Sequence, residues 1–127
     1  MNINYISREE LLDKLLFKRI VEWDEDKLVL SDGLVVTIEM SESDCCAFAG
    51  GQFKDVKLDA VITNVELGEE TSYYDGDHTT NSNTLTFFHN LNPIAVAHME
   101  ADDGNCGFYY SVGSVVIKNA HYPVVRA

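Results

Sequence analysis

The sequence predicts an α+β domain with a predominantly antiparallel β-sheet, an N-terminal helix and one short helix near residues 44–49. Three observations support this fold class. A helix-capping motif followed by leucines lies at residues 7–17. From residue 19 onward, apolar residues tend to alternate with polar ones, which is the pattern of half-buried strands. No stretch between these strands has the length of the helices that connect parallel strands, so antiparallel pairing is expected.

The N-terminal helix is predicted by the capping box "SREE", residues 7–10. The Ser7 hydroxyl can accept a hydrogen bond from the amide of Glu10, and the Glu10 carboxylate can accept one from the amide of Ser7. Four leucines then form one apolar stripe at helical spacing: Leu11, Leu12, Leu15 and Leu16. A helix is therefore expected over about residues 7–17, and its stripe must be buried against its own sheet or against another subunit.

The first strands follow in "KRIVEWDEDKLVL" and "LSDGLVVTIEM". The pair Asp32-Gly33 is a typical hairpin turn, so residues 19–40 are predicted to form three short antiparallel strands. In "SESDCCAFAGG", small residues and helix-capping side chains predict the short helix near residues 44–49, which the glycine pair would end.

The second half of the chain contains further strands and one long polar segment. "DAVITNVELG" predicts a strand, and the roughly 15 residues of "EETSYYDGDHTTNSN" predict a polar loop. "TLTFFHN" and "PIAVAHMEA" are predicted as two strands joined by "NLNP", and "CGFYYSV" and "GSVVIKN" as two more. We therefore expect one domain, residues 1–127, with about eight strands in a β-rich body over about residues 19–118.

Composition is typical of a cytoplasmic globular protein. The 127 residues fit one domain, and 46% of them are hydrophobic, which argues against disorder. No apolar run approaches the ~20 residues of a membrane span, and the N-terminus lacks the features of a secretory signal. The net charge of −12 disfavours direct nucleic-acid binding. This charge either keeps the protein soluble or imitates DNA toward a basic partner.

The cysteines, Cys45, Cys46 and Cys106, are odd in number and include one adjacent pair, which is a poor disulfide framework. They are expected to be buried thiols in a reducing cytoplasm, and no CxxC spacing predicts a zinc site. A nucleophilic cysteine needs an electropositive setting. Because Asp44 precedes the adjacent pair, structural thiols are favoured.

The stretch "HMEADDGNCGFYYS", residues 98–111, concentrates polar and aromatic side chains. Its acidic and histidine side chains raise the question of a metal site. On a strand, His98, Glu100 and Asp102 share one face, and a metal ion would require them to converge. Successive side chains on one face stand ~7 Å apart, which is too far to share one ion. A metal site is therefore disfavoured.

A hairpin turn is the favoured interpretation of the same stretch. Asp103-Gly104 suits a type I′ turn, in which both central residues have positive φ. Asp102 and Asn105 would then face each other across the turn. The polar tip and the aromatic residues after it can still border a pocket, at a contact between subunits.

The segment "TFFHNLNP" has the composition of a site for a planar base. Alternation along the strand directs one phenylalanine into the core and the other outward. An outward ring beside Asn90 and Asn92 can stack on a base while the amides bond the edge of the base. The alternative is a covered aromatic followed by asparagine turn residues. Tyr109 and Tyr110 leave the same two alternatives open.

Three stretches carry a resemblance to a known family: "ESDCCAFAGG", "DAVITNVE" and "AVAHMEADDGNCGFYYS". Over roughly residues 28–118, the chain resembles phage proteins of the first-described class of Thoeris anti-defence sponges. The resemblance implies a protein that binds the cyclic ADP-ribose-type signal made by bacterial TIR proteins and holds it without cleavage. It also implies a homo-oligomer, a dimer or a hexamer, with nucleotide pockets at subunit contacts. Some members of the family also bind cyclic oligonucleotide signals.

A sponge of this kind needs a stacking ring, hydrogen-bonding groups for the base and ribose, and cations for the diphosphate. The residues whose chemistry fits these roles are Phe88, Asn90, Asn92, Asp103, Asn105, Tyr109, Lys18, Arg19 and Arg126, with Lys54, Lys57 and Lys118 as further cations. Arginine suits bidentate phosphate contact best. No catalytic residue, metal or cofactor is expected. The net charge opposes an anionic ligand, although salt screens charges beyond ~8 Å.

The sequence leaves three functions open. The favoured one is the non-enzymatic sponge, motivated by the resemblance and by the lack of catalytic motifs such as GxGxxG, a Walker loop or HExxH. The second is an acidic protein that inhibits a host defence nuclease by mimicking nucleic acid, motivated by charge and size. The third is a small hydrolase or metal-dependent enzyme that uses Cys45, Cys46 or His98 with neighbouring acids.

Overall fold

Two β-sheets and one helix make up the computed structural model, which describes residues 3–104 and 107–127. The elements, in chain order, are β1 (Asn4–Tyr5), α1 (Arg8–Leu15), β2 (Ile20–Trp23), β3 (Lys27–Leu30), β4 (Val35–Ser43), β5 (Ala49–Lys54), β6 (Asn64–Leu67), β7 (Thr71–Tyr74), β8 (Thr79–His89), β9 (Asn92–Asp102), β10 (Ser111–Ile117) and β11 (Ala120–Arg126). Within these described residues, no helix has the length and apolar character that crossing a membrane requires.

The two sheets pack against each other around one hydrophobic core. The first has the strand order β1-β11-β10-β4-β3-β2, and the second has the order β5-β9-β8-β6, with β7 paired to the N-terminal half of β8. All strand pairs in the described part of the chain are antiparallel except β1 with β11. The predicted α+β class, with antiparallel sheets and an N-terminal helix, is confirmed.

The predicted capping box forms at the start of α1. The Ser7 hydroxyl accepts a hydrogen bond from the Glu10 amide at 3.2 Å, and the Glu10 carboxylate accepts one from the Ser7 amide at 3.4 Å. The helix ends at Leu15, two residues earlier than expected, because Leu16 is already extended, with a ψ of 132°, and Phe17 then adopts a positive φ of 64°. A residue in the left-handed region cannot continue a right-handed helix.

The leucine stripe of α1 is buried within its own chain. Leu11 and Leu15 are fully buried in the core between helix and sheets. Arg8 fastens the helix to β6, because its guanidinium donates hydrogen bonds to the Val65 carbonyl and the Asn64 side chain. The sequence left open whether the leucine stripe is buried against its own sheet or against another subunit. In the structure it is buried against its own sheet.

Several local strand predictions are also confirmed. Residues 19–40 contain β2, β3 and the first part of β4, which pair antiparallel. The turn at Asp32-Gly33 has the glycine at a φ of 89°, as a hairpin turn requires. The strands β8 and β9 form a long hairpin around the two residues between His89 and Asn92.

The short helix predicted near residues 44–49 is wrong. The Ala47 amide bonds the Asp44 carbonyl at 2.9 Å, which closes one turn only, and Cys45 has a positive φ of 46°. The chain then enters β5 at Ala49. Small residues predicted helix propensity here, but backbone pairing of the whole segment from Ala49 with β9 outweighs that local preference.

The long polar loop predicted over "EETSYYDGDHTTNSN" is also wrong, because this stretch forms the β7–β8 hairpin. At its turn, the Asp75 carboxylate accepts hydrogen bonds from the amides of Asp77 and His78, both at 2.9 Å, and Gly76 has a φ of 97°. These two bonds hold the pKa of Asp75 below its usual value. The four residues of β7 are all exposed, so the strand has no apolar alternation to reveal it.

The hairpin predicted around Asp103-Gly104 is a third correction. Its two flanking strands, β9 and β10, belong to different sheets, so the segment crosses from one sheet to the other. Gly104 has a positive φ of 73°, but Asp103 does not, which excludes a type I′ turn. Both edges of β9 are already occupied, by β5 and β8, and therefore β10 cannot pair with it. The predicted partner Asn105 lies outside the described residues.

The end of the chain differs from the prediction as well. "CGFYYSV" and "GSVVIKN" were expected to be two strands, but they contribute to the single strand β10, which begins at Ser111. The residues after it form β11, although Pro123 lacks an amide for pairing. The structure accommodates Pro123 opposite Ser114, where the register between β10 and β11 shifts.

Candidate functional site

The sequence-predicted ligand residues fall into two groups at opposite ends of the β8–β9 hairpin. The ladder runs from the pair Thr80 and Asp102 to the pair His89 and Asn92. Nine residue steps along β8, at about 3.4 Å each, place the two ends about 30 Å apart. A ligand of nucleotide size therefore cannot contact both groups within one chain.

The first group lies at the tip of the hairpin. Phe87 is fully buried, whereas its neighbour Phe88 is half-buried and directed to the opposite side of β8. Asn90, with a φ of 54°, and Asn92 are exposed at the turn. The Asn90 amide donates to the Thr63 hydroxyl at 2.6 Å, so Asn90 also has a structural role.

Lys18 and Arg19 lie close to this tip. The backbone of Arg19 forms an isolated antiparallel β-bridge with Val61. The Val61 carbonyl in turn contacts the His89 ring nitrogen Nδ1 at 2.8 Å. The Lys18 ammonium, however, contacts the Asp32 carboxylate at 2.7 Å. This contact holds the pKa of Asp32 below its usual value, and it reduces what Lys18 can offer to an anionic ligand.

The second group surrounds the crossing segment after β9. The Asp103 carboxylate accepts a hydrogen bond from the Thr79 amide at 2.8 Å, and its carbonyl accepts one from Tyr109 at 2.9 Å. The Arg126 guanidinium lies over the Tyr5 ring, 5.8 Å from its centroid, as a cation–π pair. Asp103 and Arg126 thus already have partners within the fold.

An open cavity of about 400 Å³ lies on the face of the second sheet that points away from the core. We refer to it as the outer cleft. Its lining residues come from β5, β8, β9 and the residue before β5: Phe48, Gly50, Gly51, Gln52, Thr80, His98, Glu100, Ala101 and Asp102. Along β9, Ala97, Met99 and Ala101 are buried in the core. Alternation therefore directs His98, Glu100 and Asp102 to the outer side, and the sequence had predicted that these three residues share one face.

Glycines and one aromatic ring shape the outer cleft. The Phe48 side chain is 61% exposed, and its ring lies over Gly50, where an added Cβ would stand 3.0 Å from the ring. Gly51 is packed more closely, because its Cβ would stand 2.2 Å from the His98 carbonyl oxygen. Because Gly50 has no side chain on the outer side, β5 forms a low floor beside β9, and Phe48 forms a wall.

Hydrogen bonds fix the acidic end of the outer cleft. The Asp102 carboxylate accepts from the amides of Phe48 at 2.9 Å and of Gly104 at 3.1 Å. In contrast, the His98 and Glu100 side chains make no hydrogen bond to any described residue. Polar groups without internal partners are available to a ligand.

Basic side chains are scarce at this site, since no lysine or arginine lines the outer cleft. Lys54 is on the same side of β5 as Gln52, ~7 Å further along the strand. In the described part of the chain, no group of three or more His, Cys, Asp or Glu is placed to hold a metal ion. The outer cleft therefore offers an aromatic surface, neutral polar groups and two carboxylates.

The adjacent cysteines are not buried as the sequence predicted. Cys45 and Cys46 are exposed and form no disulfide with a described residue, because the turn that replaces the predicted helix presents them to solvent. Tyr109 lies beside them, and its hydrogen bond with Cys45 raises the pKa of the Tyr109 hydroxyl. Cys106 lies outside the described residues.

Sequence reasoning missed a polar cluster on the outer side of the first sheet. The Ser41 hydroxyl contacts the Ser114 hydroxyl at 2.6 Å and the His121 ring nitrogen Nδ1 at 2.7 Å. No described carboxylate bonds His121, since Glu42 receives the Tyr5 hydroxyl instead. The arrangement is a serine–histidine pair rather than a triad. Its members come from β1, β4, β10 and β11, so no local sequence signal links them.

Titration of Tyr5 in this cluster is expected to destabilise the fold at high pH. Burial, and then the hydrogen bond and negative charge of Glu42, raise the pKa of Tyr5 to about 12. The ordinary value is about 10, so the folded state keeps a proton that the unfolded state loses. The stabilisation is fully present below about pH 10 and is lost between about pH 10 and 12. It amounts to at most about 2.7 kcal/mol, which partial exposure to solvent reduces.

Urea denaturation of the wild type and of Tyr5→Phe between pH 8 and pH 11.5 measures this contribution. The difference in free energy of unfolding between the two proteins is expected to shrink above pH 10. Tyr74→Phe, at an exposed tyrosine, serves as the control. A difference between wild type and Tyr5→Phe that does not change with pH contradicts the prediction.

Similarity to known sequences places the chain in a family. Residues 13–116 match a domain of unknown function, DUF7448. No curated protein and no solved structure matches the chain. The matched stretch includes every lining residue of the outer cleft and covers well over half of the sequence. The protein therefore belongs to the family described as a domain of unknown function, DUF7448.

Proposed function

We propose that the protein is a phage-encoded, non-enzymatic sponge that sequesters a cyclic ADP-ribose-type immune signal in the cytoplasm of an infected bacterium. The resemblance of its sequence motifs to Thoeris anti-defence sponges motivates the proposal. One observation of the structure supports it: an open cavity of about 400 Å³ whose lining combines an exposed ring with polar groups. Small-molecule sites commonly have volumes of about 300–1,000 Å³.

The chemistry of the outer cleft suits the parts of such a ligand. The exposed Phe48 ring offers a stacking surface for adenine. Carboxylates at Glu100 and Asp102 accept hydrogen bonds from ribose hydroxyls. Lys54, beyond the far end of the cleft, supplies positive charge for the diphosphate. A cyclic oligonucleotide presents the same three kinds of group, and it belongs to the same proposal.

Homo-oligomerisation, as a dimer or a hexamer, is part of the proposal. Three exposed aromatic side chains support it: Phe48, Phe108 and Tyr110. They lie at one end of the sandwich, since the Phe48 carbonyl bonds Asp102 and the Tyr110 carbonyl bonds Asp44. Exposed apolar side chains that are grouped together are typical of protein contacts. A second copy at this end would close the outer cleft from one side.

Nucleic-acid mimicry is the alternative that the net charge of −12 favours. Exposed acidic residues occur in the first turn of α1, in the β2–β3 turn, and from β6 to the β7–β8 turn. These positions belong to both sheets and to the helix. Membership of different elements does not define a single acidic face, whereas the outer cleft supports the sponge, and therefore the sponge is the proposal we carry forward.

Thermal melting of the purified protein tests the proposal directly. The ligand panel comprises glycocyclic ADP-ribose isomers, cyclic di- and trinucleotides, NAD and divalent metals. A ligand that binds only the folded state stabilises it by about 4 kcal/mol at a thousandfold excess over Kd, so one cyclic nucleotide should raise Tm by several degrees. The bound compound should be recovered unchanged after denaturation. A cleaved product, or a shift with metals alone, overturns the sponge.

Substitution of Phe48 tests whether the outer cleft is the binding site. Phe48→Ala should weaken binding of the stabilising nucleotide about fivefold or more, because base–aromatic stacking contributes about 1–3 kcal/mol. Phe17→Ala is the matched control, since Phe17 is 72% exposed and lies outside the cleft. Equal affinity of the two variants would show that the ligand binds elsewhere.

A further inference from the structure

The Glu100 side chain occupies the most open position in the outer cleft. Its partner on β5 is Gly50, which has no side chain, and its partner on β8 is Ser82, which has a short one. Glu100 is exposed, and its carboxylate has no hydrogen-bond partner among the described residues. Asp102, by comparison, already accepts two backbone hydrogen bonds.

A carboxylate without an internal partner binds ligand groups that donate hydrogen bonds in preference to groups that only accept them. An ionised carboxylate only accepts hydrogen bonds, and its two oxygens can accept from both hydroxyls of a vicinal diol. Hydrogen bonds to a charged acceptor are about twice as strong as neutral ones. A phosphate diester at neutral pH has no proton to donate, and its negative charge is repelled. Glu100 therefore favours a sugar and disfavours a phosphate.

The other side chains of the cleft lie in an order that suits a sugar at Glu100 and a phosphate further away. Phe48 lies over Gly50, next to Glu100. Further along β5, Gln52 is paired with His98, and Lys54 lies beyond it on the same side. Along the strand, the cleft thus presents an aromatic ring, a carboxylate, the amide and imidazole of Gln52 and His98, and then a cation.

We propose that Glu100 is the specificity-determining residue of the outer cleft and recognises the ribose diol of a nucleoside. The base lies on Phe48, and the phosphates are directed away from Glu100, past His98 toward Lys54. This inference rests on the proposed function for the identity of the natural ligand, but it makes a claim about the cleft that is testable with simpler compounds.

Adenosine and 2′,3′-dideoxyadenosine are the probes, because they differ only in the diol. Isothermal titration should show wild-type protein binding adenosine about tenfold more tightly than the dideoxy compound. In Glu100→Gln that preference should largely disappear. The same substitution should reduce the affinity for ADP-ribose less than the affinity for adenosine, because it also removes a repulsive charge.

Glu66→Gln is the matched control, since Glu66 is exposed on the same side of the sheet but outside the cleft. It should retain the preference for adenosine, and both variants should melt within a few degrees of the wild type. Equal losses for both nucleosides in Glu100→Gln overturn the inference. So does the lack of adenosine binding by the wild type at millimolar concentration.

The outcomes separate this inference from the proposed function. A Glu100-dependent preference for the diol, without binding of any cyclic nucleotide, supports the inference and rejects the sponge. Tight binding of a cyclic ADP-ribose isomer that is unchanged in Glu100→Gln rejects the inference and supports the sponge.

Discussion

Phe87→Ala is expected to lower the free energy of unfolding by about 3–5 kcal/mol. Phe87 is fully buried in the core between the sheets, and its ring contacts the Phe53 ring edge to face, with centroids 6.3 Å apart. The residue opposite on β9 is Ala95, whose small side chain cannot fill the space that the ring would leave. The loss therefore combines the hydrophobic transfer term with a cavity.

Chemical denaturation measures this loss, and the adjacent residue provides the control. Phe88 carries the same side chain on the other side of β8, where it is only half-buried. Phe88→Ala should cost less than half as much stability, since less apolar area is removed from burial. Equal losses at the two positions would contradict the assignment of Phe87 to the core.

Gly51→Ala is the second substitution with a large expected effect. The added Cβ would stand 2.2 Å from the His98 carbonyl oxygen and 2.8 Å from the Met99 Cα. Both atoms belong to the backbone of β9, which is held between β5 and β8 and cannot shift independently. Overpacking commonly costs about 1–3 kcal/mol, and here the rigid partner predicts a loss at or above the upper end.

Gly50→Ala is the matched comparison, because the two glycines are adjacent on β5. The Cβ at position 50 meets the Phe48 ring, at 3.0 Å, and an exposed side chain can move aside. We therefore expect little change in Tm for Gly50→Ala and a decrease of several degrees for Gly51→Ala. Thermal melting of both variants checks this, and equal Tm values would contradict the packing described for β5.

Features encoded by neighbouring residues could be predicted from the sequence. The capping box at Ser7, the turn at Gly33 and the β8–β9 hairpin each depend on residues within a few positions of one another. The common side of His98 and Glu100 also followed from the two-residue period of a strand. Such signals are local, so they do not require knowledge of the partner strand.

The failures arose where distant partners decide the structure. The glycine pair at residues 50–51 predicts the end of a helix, but it lies within β5, where Gly50 leaves the floor of the cleft open and Gly51 packs closely against the backbone of β9. The turn predicted at Asp103 failed because β9 already had two neighbours. Likewise, the outer cleft depends on β5, β8 and β9 meeting in one sheet, and the linear sequence contains no direct signal of that meeting.

The parallel pairing of β1 with β11 has a consequence for the order of folding. Asn4 pairs with Ala120, so the first described strand is completed by the last. The β8–β9 hairpin, by contrast, joins strands separated by only two residues and requires little loss of loop entropy. Proteins dominated by distant pairings fold in about milliseconds to seconds. The second sheet, with the cleft, can therefore assemble around its central hairpin before β1 docks and completes the first sheet.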